Sequence, residues 1–332
     1  MSNSAYVRLS LIAAVLAFCL IVLGAYVRLS NAGLGCPDWP GCYGHYAVPA
    51  AEKAFQSHPD SPLVPHKAWK EMIHRYVAGT LGLLILSLAV FSVLRRRDPR
   101  QSVFLPWLLV LIVIFQALLG RWTVTLKLHP LVVMGHLLGG LATFGLLVAM
   151  TLRQGGFGSS QEFEPAAGKL KPYLVVGWGL LLLQIALGGW TSANYASLAC
   201  PDFPRCQGHW LPPFDFGEAF TLWRQSGANY EGGVLDNAAR ITIHMMHRLG
   251  AVVVFLYLGR LVSKITRSGG TKAFRRLGMM MGLLLVFQIA LGISNVVFRL
   301  PLPVAVAHNA GAALLFFTLT ALWCGVLPAR KT

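Results

Sequence analysis

Charge is scarce in this chain. Of its 332 residues only 12% are charged, and Asp and Glu together number 12. A soluble globular domain carries about twice that share, so a soluble enzyme is excluded, and so is a disordered chain. Cysteine is sparse too, at six, but four of the six fall into two matched pairs. What is abundant is apolar: 55% of residues are hydrophobic, and the mean hydropathy is +0.60. At about 20 residues per span, this length leaves room for roughly 7–10 membrane helices. The formal net charge is +16. In a soluble protein that would suggest nucleic acid; in a membrane protein it raises the question of which loops hold the Lys and Arg.

Eight apolar stretches are legible: 9–29, 73–94, 104–124, 131–152, 173–192, 241–262, 276–297 and 304–326. Each is long enough to cross a hydrocarbon core as a helix, which satisfies its own backbone. The expected fold is therefore an all-α integral membrane protein with eight transmembrane helices. With the N-terminus inside, the inner segments collect 16 of the 28 basic residues. They are Arg8, Arg95, Arg96, Arg97, Arg100, Arg153, Lys169, Lys171, Arg260, Lys264, Arg267, Lys272, Arg275, Arg276, Arg330 and Lys331. Only three acids, Asp98, Glu162 and Glu164, accompany them. The asymmetry predicts cytoplasmic N- and C-termini and argues against a nucleic-acid partner. The first span resembles a secretory signal, and Gly33-Leu34-Gly35-Cys36 weakly resembles a lipoprotein cleavage site. Both are rejected because the same segment recurs in mid-chain.

That recurrence shows a duplication. Residues 21–42 (IVLGAYVRLSNAGLGCPDWPGC) align without gaps on 185–206 (IALGGWTSANYASLACPDFPRC), with the shared core Cys-Pro-Asp-aromatic-Pro-x-Cys. Ile73-His74-Arg75 matches Met246-His247-Arg248. The stretch beginning at Gln116 matches that at Gln288, and that at His136 matches that at His308. Each half holds four spans, an even number, so both halves have the same orientation. Two pseudo-twofold-related four-helix bundles are predicted. The expected division is 1–155 for the N-terminal half, 156–172 for a cytoplasmic linker and 173–332 for the C-terminal half, with outer loops at 30–70 and 193–240.

Four histidines lie in or at the edge of spans and pair between the halves: His74 with His247, and His136 with His308. An ionisable residue in hydrocarbon is costly and points to function. Two per bundle, at similar depth toward the outer face, suit axial ligation of haem iron, and two such sites mean two haems. Zinc would require three or four ligands together. Glu71 and His74, at i and i+3, share a helix face, whereas the second half has His244 where the first has Glu71. The acid beside one site alone marks the N-terminal half as reactive and the C-terminal half as electron-handling. The plainer alternative is that Glu71 only pairs with Arg75 at i,i+4. Arg75 and Arg248 are candidates to hold haem propionates.

The pairs Cys36/Cys42 and Cys200/Cys206 lie in outer loops, where disulfides persist. Two readings stay open for them: structural staples, or thiol exchange near the N-terminal site. Cys19 and Cys324, inside spans, are expected to be packing residues. His45, His58, His66, His209 and His129 are expected at the surface, and Trp39, Trp69, Trp122 and Trp190 in the outer interfacial belt. Short amphipathic pieces are expected near 50–57 or 217–224.

Together these features resemble the heme A synthase family. The resemblance is carried by the eight spans in two repeats, Glu71-x-x-His74-Arg75, His136, His247-Arg248, His308 and the paired-cysteine loops. It covers essentially the whole chain, and cysteine pairs in both halves resemble a proteobacterial form. The resemblance implies an oxidoreductase acting on a CH group of haem. It would oxidise the C8 methyl of heme O to a formyl group by successive hydroxylations, giving heme A for terminal oxidases. It implies that His74 and His136 hold the substrate haem, that His247 and His308 hold a haem b cofactor, and that Glu71 is the catalytic acid/base or water-orienting group. Heme O synthase and terminal oxidase assembly factors are the implied protein partners, with membrane lipid around the spans and a homo-oligomer compatible with the small-residue faces. With no long Arg/Ser-rich transit segment before the first span, a bacterial plasma membrane is the expected location. Two other functions fit the histidines alone: a diheme cytochrome for quinol-linked electron transfer, and a haem chaperone or transporter.

Overall fold

The computed structural model describes residues 3–98, 101–157, 164–223, 228–267 and 271–327. Its helices are α1 (Asn3–Leu29), α2 (Ala51–Ser57), α3 (Pro65–Leu94), α4 (Phe104–Thr125) and α5 (Pro130–Gln154), then α6 (Glu164–Ala193), α7 (Phe216–Ala219), α8 (Asn237–Arg267), α9 (Lys272–Val297) and α10 (Leu302–Val326). All but the short α2 and α7 are long and apolar enough to cross a membrane. Among the described residues there is no strand, only two isolated bridges, Cys42 with His45 and Cys206 with His209. The eight expected spans are the eight long helices, several extended by a turn or more.

Local chemistry sets the ends. Pro65 and Pro130 occupy the first position of α3 and α5, where a missing N–H costs nothing. Thr271 caps α9 by accepting the Phe274 N–H at 3.2 Å, and Asp215 caps α7 by accepting that of Glu218 at 2.9 Å. The turn from α4 to α5 places Lys127 and Leu128 at φ +46° and +62°; the turn from α9 to α10 repeats this with Arg299 and Leu300 at +57° and +61°. Such left-handed pairs are unusual for side chains of this size, so the repeat testifies to common ancestry of the two turns.

In each half the long helices pack in a ring. α1 touches α3 and α5, and α4 touches α3 and α5; in the second half α6 touches α8 and α10, and α9 touches α8 and α10. Both rings are four-helix bundles. They meet through α1 on α10, α5 on α10 and α5 on α6, an arrangement compatible with the expected pseudo-twofold axis. At the crossing of α5 and α10, a Cβ on Gly145 would come within 2.6 Å of the Phe316 ring, so only glycine permits this approach. One apolar cluster, from Tyr6 through Phe144 and Leu174 to Phe316, runs through both bundles.

Several expectations change. The piece expected at 156–172 is already helix from Glu164 on, and 158–163 lie outside the described residues, as do Arg100, Glu162, Arg330 and Lys331. Of the two places offered for a short amphipathic piece, 50–57 forms one as α2, and 217–224 holds only the end of the single turn α7; residue 224 lies outside the described residues. Trp190 is not in an interfacial belt. It is buried, and its indole N–H donates to the Ala219 carbonyl at 2.9 Å, pinning the cap loop to α6. His129 is not at the surface either. It is buried between Trp223 and Tyr230, with ring centroids 4.7 and 5.0 Å away, because the second half's loop reaches over the start of α5. Cys324 is buried as expected, but Cys19 is exposed on the outer side of α1.

Candidate functional site

The four histidines enter the bundles from the end covered by the loops between α1 and α3 and between α6 and α8. His74 and His247 lie on α3 and α8; His136 and His308 lie on α5 and α10. Because α3 and α8 begin earlier than expected, at Pro65 and Asn237, His74 and His247 sit roughly 14 Å inside their helices at 1.5 Å per residue. His136 and His308 sit about 9 Å inside theirs, near the same depth. In each ring the two histidine-bearing helices occupy opposite corners, and in the first ring their imidazoles meet across the bundle interior.

The ring centroids of His74 and His136 are 6.4 Å apart. A metal–imidazole bond is about 2 Å, and a ring centre lies about another ångström behind its nitrogen, so two imidazoles gripping one metal ion from opposite sides have centroids roughly 6 Å apart. The spacing fits. Nδ1 of His74, His136 and His308 are enclosed with no hydrogen-bond partner. Among the described residues, no three His, Cys, Asp or Glu side chains converge into a cage. Two imidazoles are the complement needed by a metal already ringed by four equatorial donors.

Each imidazole leans on a glycine of a neighbouring helix. A Cβ on Gly24 would lie 3.1 Å from Cε1 of His74, on Gly188 3.0 Å from His247, on Gly120 3.5 Å from His136, and on Gly292 3.2 Å from His308. Reasoning from sequence does not single these four glycines out among so many. A signal for them exists, since each stands at a matching offset between the halves.

The loop over each bundle is the same motif twice. Cys36 and Cys42 form one disulfide, and Cys200 and Cys206 the other. All four cysteines are fully buried in small cap cores, the first with Tyr43, Ala68 and Met72, the second with Ile241. Burial favours the staple reading over exchange. Asp38 accepts the N–H groups of Tyr43 and Gly44 at 2.6 and 2.7 Å, and Asp202 those of Gln207 and Gly208 at 2.6 and 2.9 Å. The Gly208 N–H first, then Gln207, holds the Asp202 carboxyl below the usual range.

Glu71 is buried, and both its oxygens are engaged. Oε2 accepts the Cys36 N–H at 3.0 Å, and Oε1 pairs with Arg75. The plainer of the two expectations, the ion pair at i,i+4, therefore forms. In the second half His244 fills the same role, its Nδ1 accepting the Cys200 N–H at 3.3 Å. The contact depends on Gly35, whose Cβ would stand 2.6 Å from the Lys67 backbone, letting the loop lie directly on α3. Arg75 and Arg248, expected at propionates, are turned to the loops. Arg75 donates to the Pro40 and Gly41 carbonyls, and Arg248 to those of Arg205, Cys200 and Asp202 at 2.9, 3.0 and 2.8 Å. A guanidinium beside three loop carbonyls satisfies all of them at once, a demand invisible in sequence.

Fold and site together define a class: a multi-span helical membrane protein with a pair of facing imidazoles inside each of two bundles under disulfide-closed caps. The chain belongs to the COX15-CtaA family, described as cytochrome oxidase assembly protein, whose family model matches residues 7–320. It is 46% identical over 308 residues to the heme A synthase of Shewanella oneidensis, covering 91% of both chains. It is 27% identical over 322 residues to that of Bacillus licheniformis (95% of this chain, 93% of the relative), and 27% over 333 residues to that of Caulobacter vibrioides (93% and 92%).

Proposed function

We propose that this chain is a heme A synthase: it oxidises the C8 methyl of heme O to the formyl of heme A through two hydroxylations, the second giving a geminal diol that loses water. The reading rests on one observation above the others: two imidazoles 6.4 Å apart across a bundle interior, with a carboxylic acid on the ligand helix of that bundle alone. The names of the relatives support it.

In this proposal His74 and His136 hold the substrate, heme O. His247 and His308 hold a resident haem b, which when bound supplies one-electron transfer. Glu71 is the acid/base or water-orienting group. Each of its oxygens takes one protein donor and keeps lone-pair capacity for a proton or a water. Arg75 and Arg248, at the same rim, attract propionates while they hold the loops. The Cys36 and Cys200 loops shield the bundle mouths from water. The basic segments support an uncapped end in the cytoplasm, with the caps and both haem sites facing the periplasmic side of a bacterial inner membrane. Heme O synthase upstream and terminal oxidase assembly factors downstream are the partners this chemistry requires, since substrate and product are too apolar to travel through water. A homo-oligomer fits the exposed apolar faces of α4 and α9.

A transmembrane diheme cytochrome would stack its haems at two depths; here the two imidazole pairs lie near one depth, which favours chemistry over electron crossing. The test is extraction of the haems from the purified protein and their identification by mass. Heme O or heme A together with haem b is the expected result. Haem b alone, from cells that make heme O, would overturn the proposal.

A further inference from the structure

Three of the four imidazoles share a feature that the fourth lacks. Three residues after His136, His247 and His308 stands a glycine: Gly139, Gly250 and Gly311. In each case a glutamine from the neighbouring helix fills the notch. A Cβ on Gly139 would collide with Gln116, on Gly250 with Gln184 (2.2 Å from Oε1), and on Gly311 with Gln288 (2.3 Å from Oε1). Two of these amides donate to the backbone carbonyl of the histidine itself: Gln184 to His247 at 3.0 Å and Gln288 to His308 at 2.9 Å. Gln184 also lies 3.0 Å from Nδ1 of His247. Each glutamine stands four residues before the glycine that the imidazole leans on: Gln116 before Gly120, Gln184 before Gly188 and Gln288 before Gly292.

At His74 both partners are replaced. The position three residues on is Val77, and four residues before Gly24 is Leu20. The alignment of the halves puts Leu20 on Gln184 and Val77 on Gly250. The substitutions are paired: a β-branched residue replaces the notch glycine, and an apolar residue replaces the glutamine. His74 keeps its contact with Gly24 but has no amide seat.

We propose that His74 is the releasing ligand, and that Gln184 and Gln288, through their hydrogen bonds to the histidine carbonyls, and Gln116, which only fills its notch and whose Nε2 has no hydrogen-bond partner, are positioning residues that hold the other three in place. Groups around a ligand fix its orientation and raise its affinity, so removing the seat from one imidazole lowers the cost of its turning away. Only one of the two bundles must admit and discharge a porphyrin in each catalytic cycle. The missing seat falls in that bundle, on α3 rather than on the central α5 that binds the halves together. The inference rests on the proposed haem sites and adds which ligand gives way.

The test is haem loss from the purified full-length protein to excess apomyoglobin, an acceptor that reports transfer by its own spectrum. The expected time course has a fast phase from the N-terminal bundle and a slow phase from the C-terminal one. Installing the seat with Leu20→Gln plus Val77→Gly slows the fast phase by about fivefold or more, the effect of one amide hydrogen bond. Removing a seat with Gln184→Leu speeds the slow phase by a similar factor, and this single change leaves the notch glycine alone should the double variant fail to fold. A single phase in the native protein overturns the inference while leaving the haem sites standing, and so do unchanged phases in both variants. A purified protein with no haem to lose overturns both.

Discussion

Arg28 at the end of α1 donates to the carbonyl of Ser192 at 2.7 Å, and Ser192 is the residue that occupies Arg28's own position in the second half. The guanidinium also reaches the Ala193 carbonyl at 3.5 Å and lies 4.3 Å over the Tyr195 ring. The duplication thus diverged at one aligned position to make a donor on one side and an acceptor on the other, closing the seam between the bundles at the capped end. Arg28→Ala is expected to lower stability by about 1–3 kcal/mol, the worth of a charged hydrogen bond with partial burial. Arg28→Lys should recover less than half, because an ammonium cannot lie flat over the Tyr195 ring as the guanidinium does. Thermal unfolding of the detergent-solubilised protein measures both.

Glu71 has a structural duty and a proposed chemical one, and the two can be separated. Glu71→Gln preserves an acceptor for the Cys36 N–H while removing the charge. The expected outcome is a folded protein with its haems bound and heme A production reduced at least about a hundredfold, in the range typical of a lost acid/base. Glu71→His copies the second half, and should keep the loop closed yet stay inactive. Normal heme A output from either variant would remove Glu71 from the chemistry.

The two imidazole pairs should fail differently. His247→Ala is expected to lose the haem b signal and retain heme O. His74→Ala is expected to keep haem b and lose heme O binding. Haem extraction from each variant, identified by mass, reads the difference; the reverse pattern would exchange the roles of the halves.

The buried disulfides should resist reductant in the folded protein and yield only on unfolding. Replacing Cys200 and Cys206 together by Ser is expected to cost roughly 2 kcal/mol, as the chain-entropy estimate gives for so short a loop. Thiol labelling before and after denaturation checks accessibility, and thermal unfolding checks the cost. Rapid labelling of the reduced native protein would favour thiol exchange instead.

Asp202 carries a pH dependence. Its carboxyl is held below the usual range by the N–H groups of Gly208 and Gln207. A depressed folded-state value means that its contribution is fully present above the unfolded value of about 4, and is lost as pH falls through the lower folded value. The cap around Cys200 should therefore loosen only in acid. Asp202→Asn should flatten that acid limb, which hydrogen exchange at Gln207 and Gly208 would report.

Much is legible in the order of residues alone. A membrane helix is specified by a local property, an apolar run of sufficient length, so all eight spans can be read from hydropathy. The duplication is equally plain, because ungapped matches such as Cys36–Cys42 with Cys200–Cys206 survive as strings. The pairing of His74 with His247 and of His136 with His308 follows from the same offsets, and so does the family. Direction and neighbourhood are not local properties. Sequence puts Glu71 on the face of His74, but only the packed loop shows its oxygens taken by Cys36 and Arg75, because a carboxylate goes to whichever donors the fold brings within 3 Å. It assigns Trp190 and His129 to surfaces that the second half's loop covers, since a span boundary does not reveal what folds over it. The imidazole pairs can be named from the chain. That each pair stands at opposite corners of a helix ring, each imidazole against a glycine from another helix and those of His74 and His136 6.4 Å apart, is decided by tertiary packing, where contacts join residues that share no sequence neighbourhood.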